Sequence, residues 1–198
     1  MRYIISDIHG CKKEYLELLR KIKFSDEDHL YILGDVLDRG EDPIGVLLDV
    51  MNRKNVTLIM GNHEHLFYSF LKTLGLDFSN FKSEDEKWDF RAWLRDGGLS
   101  TFEGYLNLTQ EEKKSIYDYI GSRKAYAALE YEEKKYILVH AGIANFDEKK
   151  RSINMICRII YIKERIIARG TIRRRIYILL QDIHLQWSFS QEEYQECL

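Results

Sequence analysis

Four short polar stretches carry most of the side chains in this chain that could do chemistry together: Asp7-Ile8-His9-Gly10, Gly34-Asp35-Val36-Leu37-Asp38-Arg39-Gly40, Gly61-Asn62-His63-Glu64 and His140-Ala141-Gly142. Asp7, His9, Asp35, Asn62 and His140 form a set of hard oxygen and imidazole donors, which suits manganese, iron or zinc better than a soft thiolate-bound ion. Alternate residues of an extended segment share a face, so Asp7 and His9 are expected to grip one ion. Asp35 would bridge to a second ion held by Asn62 and His140. A hydroxide shared by two ions about 3.5–4 Å apart is a strong nucleophile at neutral pH, aimed for in-line attack on phosphorus. His63, beside Asn62, falls where a general acid is needed on the leaving-group side, and Asp38 is placed to hold its ring and stabilise its charged form. Arg39 offers a planar fork to phosphoryl oxygens. Singly, Asp7 or Asp35 would read as a cap or turn residue and His140 as a hydrogen-bonded core histidine; the set of five points to metal. His29 and His65 read as a surface turn and a helix face, and Trp88 and Trp93 as packing.

The elements that must position these residues are legible beside them. Residues 3–6, 30–33 and 56–60 are apolar runs that predict buried strands, and residues 12–22, 44–52 and 66–74 carry apolar side chains at helical spacing. Pro43, the only proline, sits where a helix can begin at least cost. Strand, loop and helix repeated three times means parallel strands joined by right-handed crossovers, with ligands bound at the carboxyl ends of the strands. Residues 77–124 read as a charged helical insertion covering the site. Residues 126–130 and 135–139 flank an acidic turn and predict a hairpin that delivers His140.

With 198 residues, 45% hydrophobic and 31% charged, the chain is one domain's worth of globular sequence. Its net charge of -2 supplies no bulk field for nucleic acid or an anionic membrane. Arg173 to Arg175 form one short basic run, which reads as solvated surface. No uncharged apolar stretch approaches membrane length, and the first residues meet Asp7 and His9 before a signal-peptide core could form, so the expected location is the cytoplasm. Cys11, Cys157 and Cys197 match neither a disulfide framework nor a zinc motif and read as reduced thiols.

The sequence DIHG, GDVLDRG, GNHE and VHAG, in that order over roughly residues 1–145, resembles the calcineurin-like metallophosphoesterases. The DRG ending and the Glu64 of GNHE resemble the phosphoprotein phosphatase branch, and WLRDGGLST resembles the WxxxGG segment of its bacterial members. The resemblance implies an α/β fold of two β-sheets flanked by helices, a four-layer sandwich. It also implies two divalent ions, manganese first, with iron, zinc or magnesium as alternatives. By it Asp7, His9, Asp35, Asn62 and His140 are metal ligands, His63 is the acid with Asp38, and Arg39 binds phosphate. The implied reaction is hydrolysis of a phosphate monoester, with phosphoserine or phosphothreonine in protein as first substrate. Symmetrical diadenosine tetraphosphate hydrolysis shares the same motifs and is the alternative. The implied partner is thus a phosphoprotein or a small phosphoester, with neither nucleic acid nor membrane.

The resemblance stops near residue 150. Members of the family continue with a Trp-containing segment that supplies a second phosphate-binding Arg, then with a GHTPT-like motif whose His completes the second metal. This chain has no Gly-His-Thr, and residues 154–158 carry Cys157 where the Trp is expected. One Lys and seven Arg follow residue 150, in an Ile-rich stretch whose pattern assigns no element. Residues 1–150 are therefore read as the metallophosphoesterase domain and 151–198 as an atypical tail that replaces the family's C-terminal part and leaves the second sheet incomplete. Allowed codons for residues 181–186, read from the third base of the first, spell Gly-His-Thr-Pro-Thr. A frameshift near residues 146–158 accounts for both features, with a catalytically impaired fragment as one consequence; the alternative is a genuine tail in which His184 replaces the missing ligand. The coding sequence tests the shift. Its second frame past codon 158 is expected to continue the family pattern, and a second frame without it would refute the shift.

Overall fold

A computed structural model of the chain describes residues 1–131, 134–141, 175–180 and 183–188. Three short strands, β1 (Arg2–Ile5), β2 (His29–Ile32) and β3 (Val56–Leu58), form a parallel sheet with β2 in the middle. Tyr3 lies opposite Leu30, and Leu30 opposite Val56. Alternation along the strands sends Tyr3, Ile5, Leu30, Ile32, Val56 and Leu58 to one face, where α1 (Lys12–Lys21), α2 (Pro43–Asn52) and α3 (Asn62–Leu74) bury their apolar sides. On the other face Ile4, Leu33 and Ile59 pack against Leu138 of β5 (Lys134–Val139), which pairs antiparallel with β4 (Tyr126–Tyr131). Helices, parallel sheet and antiparallel pair thus stack as layers, and β5 ends at Val139 and delivers His140 as the pattern predicts.

Most predicted elements stand within a residue or two of their expected positions, but α3 does not. Periodicity starts it at residue 66, whereas the helix begins at Asn62. The cause is local: Glu64 turns back to accept the Gly61 N–H at 3.0 Å, which satisfies a donor that the first turn would otherwise leave open. Asn62 and His63 therefore ride on a helix end rather than in a loop.

The insertion comprises α4 (Glu84–Trp93), α5 (Leu99–Leu106) and α6 (Gln110–Gly121). Between α4 and α5 the chain kinks at Leu94–Gly98, where Asp96 and Gly97 leave helical geometry. Phe78, Phe90 and Trp93 pack ring on ring with Phe67 and Phe70 of α3, centroids 5.3–6.2 Å apart, so the insertion shares the main core. Such pairs add about 0.5–1.5 kcal/mol each beyond the area they bury.

In the tail, β6 (Arg175–Leu180) and β7 (Ile183–Ser188) pair as an antiparallel hairpin where the sequence pattern assigned no element. The join near residue 150, Cys157, Cys197 and the side chains of Arg173 to Arg175 and His184 lie outside the described residues. Among the described residues no helix is long and apolar enough to cross a membrane.

Candidate metal centre

Pairing of β1 with β2 does not stop where the strands end. The two loops run on side by side, the Asp7 N–H donating to the Gly34 carbonyl at 3.1 Å, His9 to Asp35 at 2.9 Å and Gly10 to Val36 at 2.9 Å. To do so they bend through left-handed backbone, with φ of 59° at Asp7, 46° at His9, 57° at Asp35, 66° at Asp38 and 74° at Arg39. Non-glycine residues held there cost about 1–3 kcal/mol each and concentrate at functional sites. Gly34, at φ 83°, is forced by contact as well: a Cβ would lie 2.6 Å from the Gly61 Cα and 2.9 Å from His140 Nδ1. The loops after β2, β3 and β5 meet at that point.

The donor atoms converge on Asp35. Its Oδ1 accepts the His63 N–H at the start of α3, 3.2 Å away, while Oδ2 lies 3.2 Å from His140 Nε2 and 3.8 Å from His9 Nε2. Burial opposes ionisation of Asp35, but the hydrogen bond and charge of His140, with the charges of His63 and His9, bring its pKa down to about 2. Both histidines are oriented from behind: His9 Nδ1 donates to the Leu37 carbonyl at 2.9 Å and His140 Nδ1 to the Leu33 carbonyl at 2.5 Å. Asn62 Oδ1 stands 2.8 Å from His140 Nε2. Ser6 Oγ hydrogen-bonds the Asp7 carboxylate. Donor atoms of Asp7, Asp35 and His140 lie within 4.8 Å of one another, and so do those of His9, Asp35 and His63.

The five expected ligands are thus brought together, although the backbone at Asp7 and His9 is not the extended segment assumed for them. Left-handed backbone at both positions breaks the alternation of an extended segment, and Asp7 groups with His140 across the site.

The arrangement fits cations. His140 gives its Nδ1–H to Leu33 and turns Nε2 toward the oxygens of Asn62 and Asp35, a position that either a second proton or a cation can serve. A positive ion among those three atoms satisfies all of them. Asp35, Asp38 and Glu64 are buried carboxylates, and among the described residues Arg39 is the guanidinium that reaches the two rings, at 3.1 Å from His9 Nε2 and 3.3 Å from His63 Nε2. Buried carboxylate charge is stabilised by such an ion.

Beside this set stands the expected acid pair. His63 Nδ1 lies 2.6 Å from Asp38 Oδ2, both residues buried, and His63 Nε2 faces the metal donors. Burial disfavours the charged imidazole; the hydrogen bond to Asp38, with the charges of Asp35 and Asp38, outweighs it and raises the pKa above the usual histidine value. His65 is exposed on α3, as expected, whereas His29, read as part of a surface turn, begins β2 and hydrogen-bonds Thr57 Oγ1 at 2.8 Å.

Three residues of the quoted motifs take parts that the motif reading did not assign to them. Glu64 accepts four backbone N–H groups: Asp35 at 2.7 Å and Gly61 at 3.0 Å on Oε2, Val36 at 2.9 Å and Leu37 at 3.2 Å on Oε1. Burial and the charge of Asp35 push its pKa up, and the four donors oppose that. Its position three residues after a helix-capping Gly61 is the signal that could have revealed it. Trp93 packs, as predicted, whereas Trp88, also read as packing, is 65% exposed; the Trp93 Nε1 also donates to Asp38 Oδ2 at 2.9 Å, and the Thr101 hydroxyl donates to Asp38 Oδ1 at 2.5 Å.

With this geometry in place, comparison with known proteins identifies the class. The model of the calcineurin-like phosphoesterase family matches residues 3–195, and the chain belongs to that family. The match runs across the tail that the sequence pattern sets apart. Among curated proteins, the symmetrical bis(5'-nucleosyl)-tetraphosphatase of Buchnera aphidicola subsp. Schizaphis graminum is 35% identical over 126 residues, 60% of this chain and 44% of that protein. Its namesake in Erwinia tasmaniensis is 32% identical over 148 residues, 71% of this chain and 44% of the relative. That of Salmonella paratyphi B is 41% identical over 71 residues, 34% of this chain and 25% of the relative. The chain therefore spans less than half the length of the curated relatives it matches.

Replacing Glu64 by Gln keeps the volume but sets an NH2 group against backbone donors. The variant is expected to lose about 2–4 kcal/mol of unfolding free energy in urea denaturation, since bonds to a charged acceptor count for about 1.5–3 kcal/mol each. A loss below about 0.5 kcal/mol would show that those amides do not depend on the charge.

Proposed function

We propose that this chain hydrolyses a dinucleoside tetraphosphate symmetrically, releasing two nucleoside diphosphates. The observation that carries the reading is the Asp35-centred donor set with its His63–Asp38 pair, in a chain whose curated relatives are named for that activity. Phosphoserine and phosphothreonine, the substrates the motifs first point to, give way because none of those three relatives is named for them.

Asp7, His9, Asp35, Asn62 and His140 would hold divalent ions. Such ions, once bound, supply Lewis acidity toward phosphoryl oxygens and lower the pKa of water. Arg39 then turns to the substrate the N–H groups it now gives to His9 and His63, and its planar fork matches phosphoryl oxygens two at a time. His63 donates from Nε2 to the oxygen of the departing diphosphate while Asp38 holds Nδ1 and steadies the ring. Cleavage at the central anhydride makes each product half of the substrate, so one diphosphate leaves as the other takes on water.

Incubation of the manganese-loaded protein with diadenosine tetraphosphate is expected to give ADP as the only nucleotide. His63→Asn is expected to lower kcat by about 100-fold or more, the range of a general acid. ATP with AMP as products would contradict symmetrical cleavage. Phosphate release from a phosphoserine peptide without ADP from the dinucleotide would restore the phosphoprotein reading. A folded, manganese-bound protein that turns over neither would be the impaired fragment.

A further inference from the structure

We infer that Trp93 and Thr101 of the helical insertion are positioning residues for His63: they fix the Asp38 carboxylate, and through it the orientation of the imidazole. For its kinetic consequence this rests on the hydrolase reading above; for its structural consequence it rests on geometry alone.

Asp38 is fully buried, and both its oxygens are spoken for by the insertion as well as by His63. Oδ2 accepts His63 Nδ1–H at 2.6 Å and Trp93 Nε1–H at 2.9 Å. Oδ1 accepts the Thr101 hydroxyl at 2.5 Å, and the same hydroxyl accepts the Asp38 backbone N–H at 2.9 Å. Thr101 therefore clamps the backbone and the side chain of one residue at once. The neighbouring Arg39 N–H donates to the Gly97 carbonyl at 2.8 Å. Asp38 and Arg39 are consecutive left-handed residues, and residues 93–101 supply the partners that hold them there.

The final torsion of an Asp side chain is broad, so one hydrogen bond to a histidine does not fix the carboxylate plane. Two further donors on separate elements do. Trp93 also packs on Phe67, one turn along α3 from His63, with ring centroids 5.8 Å apart, so a single indole references both members of the pair. A Cβ on Gly98 would run into the indole ring, which makes the glycine the reason the ring can lie against Asp38. The insertion, read from sequence as a cover over the site, is built into the acid pair itself.

The test compares Thr101→Val, Thr101→Ser, Trp93→Phe and Gly98→Ala with the parent. The first readout is the low-field proton resonance of His63 Nδ1–H in protein without added metal, which needs no turnover. It is expected in the parent and in Thr101→Ser, and shifted upfield or lost in the other three. The second readout is kcat on two aryl phosphates under manganese. An oriented acid matters most for a poor leaving group, so Thr101→Val and Trp93→Phe should lose about tenfold on phenyl phosphate, a part of the roughly 10²–10⁴-fold that a whole general acid contributes. They should lose far less on p-nitrophenyl phosphate, and Thr101→Ser should recover the parent's ratio. Should Thr101→Val not fold, Trp93→Phe, which removes the N–H and keeps an aromatic ring, carries the same comparison. An unchanged low-field resonance in the variants that fold, or equal losses on both substrates, would overturn the inference. If the parent turns over neither aryl phosphate nor dinucleotide, the hydrolase reading fails and the resonance alone decides the positioning role.

Discussion

Four backbone N–H groups, from Asp35, Val36, Leu37 and Gly61, end on the two oxygens of one buried carboxylate, Glu64. Burying a charged group costs several kcal/mol, and only dense hydrogen bonding offsets it. That requirement is also a constraint on shape. The loop leaving β2 must wrap around the first turn of α3 closely enough to reach Glu64, and in doing so it fixes Asp35, Asp38 and Arg39 relative to Asn62 and His63 on that turn. Loosening this carboxylate would separate the candidate site residues without touching any of them.

The rest of the site is built outward from the same point. The parallel sheet sends two loops forward together, and their mutual hydrogen bonds carry His9 to Asp35 across left-handed backbone. The start of α3 holds one oxygen of Asp35, so the other faces the two imidazoles. β5 then delivers His140 from the far face of the sheet, against a Gly34 that leaves no room for a side chain. Strain at five non-glycine residues is tolerable because the sheet on one side and the insertion on the other leave these loops little freedom to relax.

How much of this the sequence shows depends on the kind of signal. β1, β2 and α1 are visible because apolar side chains recur with the period of the element, and the candidate ligands because Asp, His and Asn cluster where those elements end. The true start of α3 is invisible to periodicity, since Asn62, His63 and Glu64 are polar; it is set by a side-chain bond from Glu64. The same is true of Trp93, whose bulk explains its burial but not its N–H, and of Thr101, which stands in the WLRDGGLST segment with no sign there of its partner. The grouping of Asp7 with His140 was hidden because backbone conformation, rather than residue spacing, directs those side chains. Partners far apart in sequence are what a linear reading lacks: Asp38 and Trp93 are 55 residues apart, Asp38 and Thr101 63.

On the proposed reading, Asp35 would serve both cation positions. Calorimetric titration of manganese into the parent protein and Asp35→Asn tests it most directly. The account predicts two binding events in the parent and, in the variant, weakening of both by more than the about 10–100-fold that loss of a mere outer partner of a ligand causes. Binding to Asp35→Asn that matches the parent in number and affinity would contradict it.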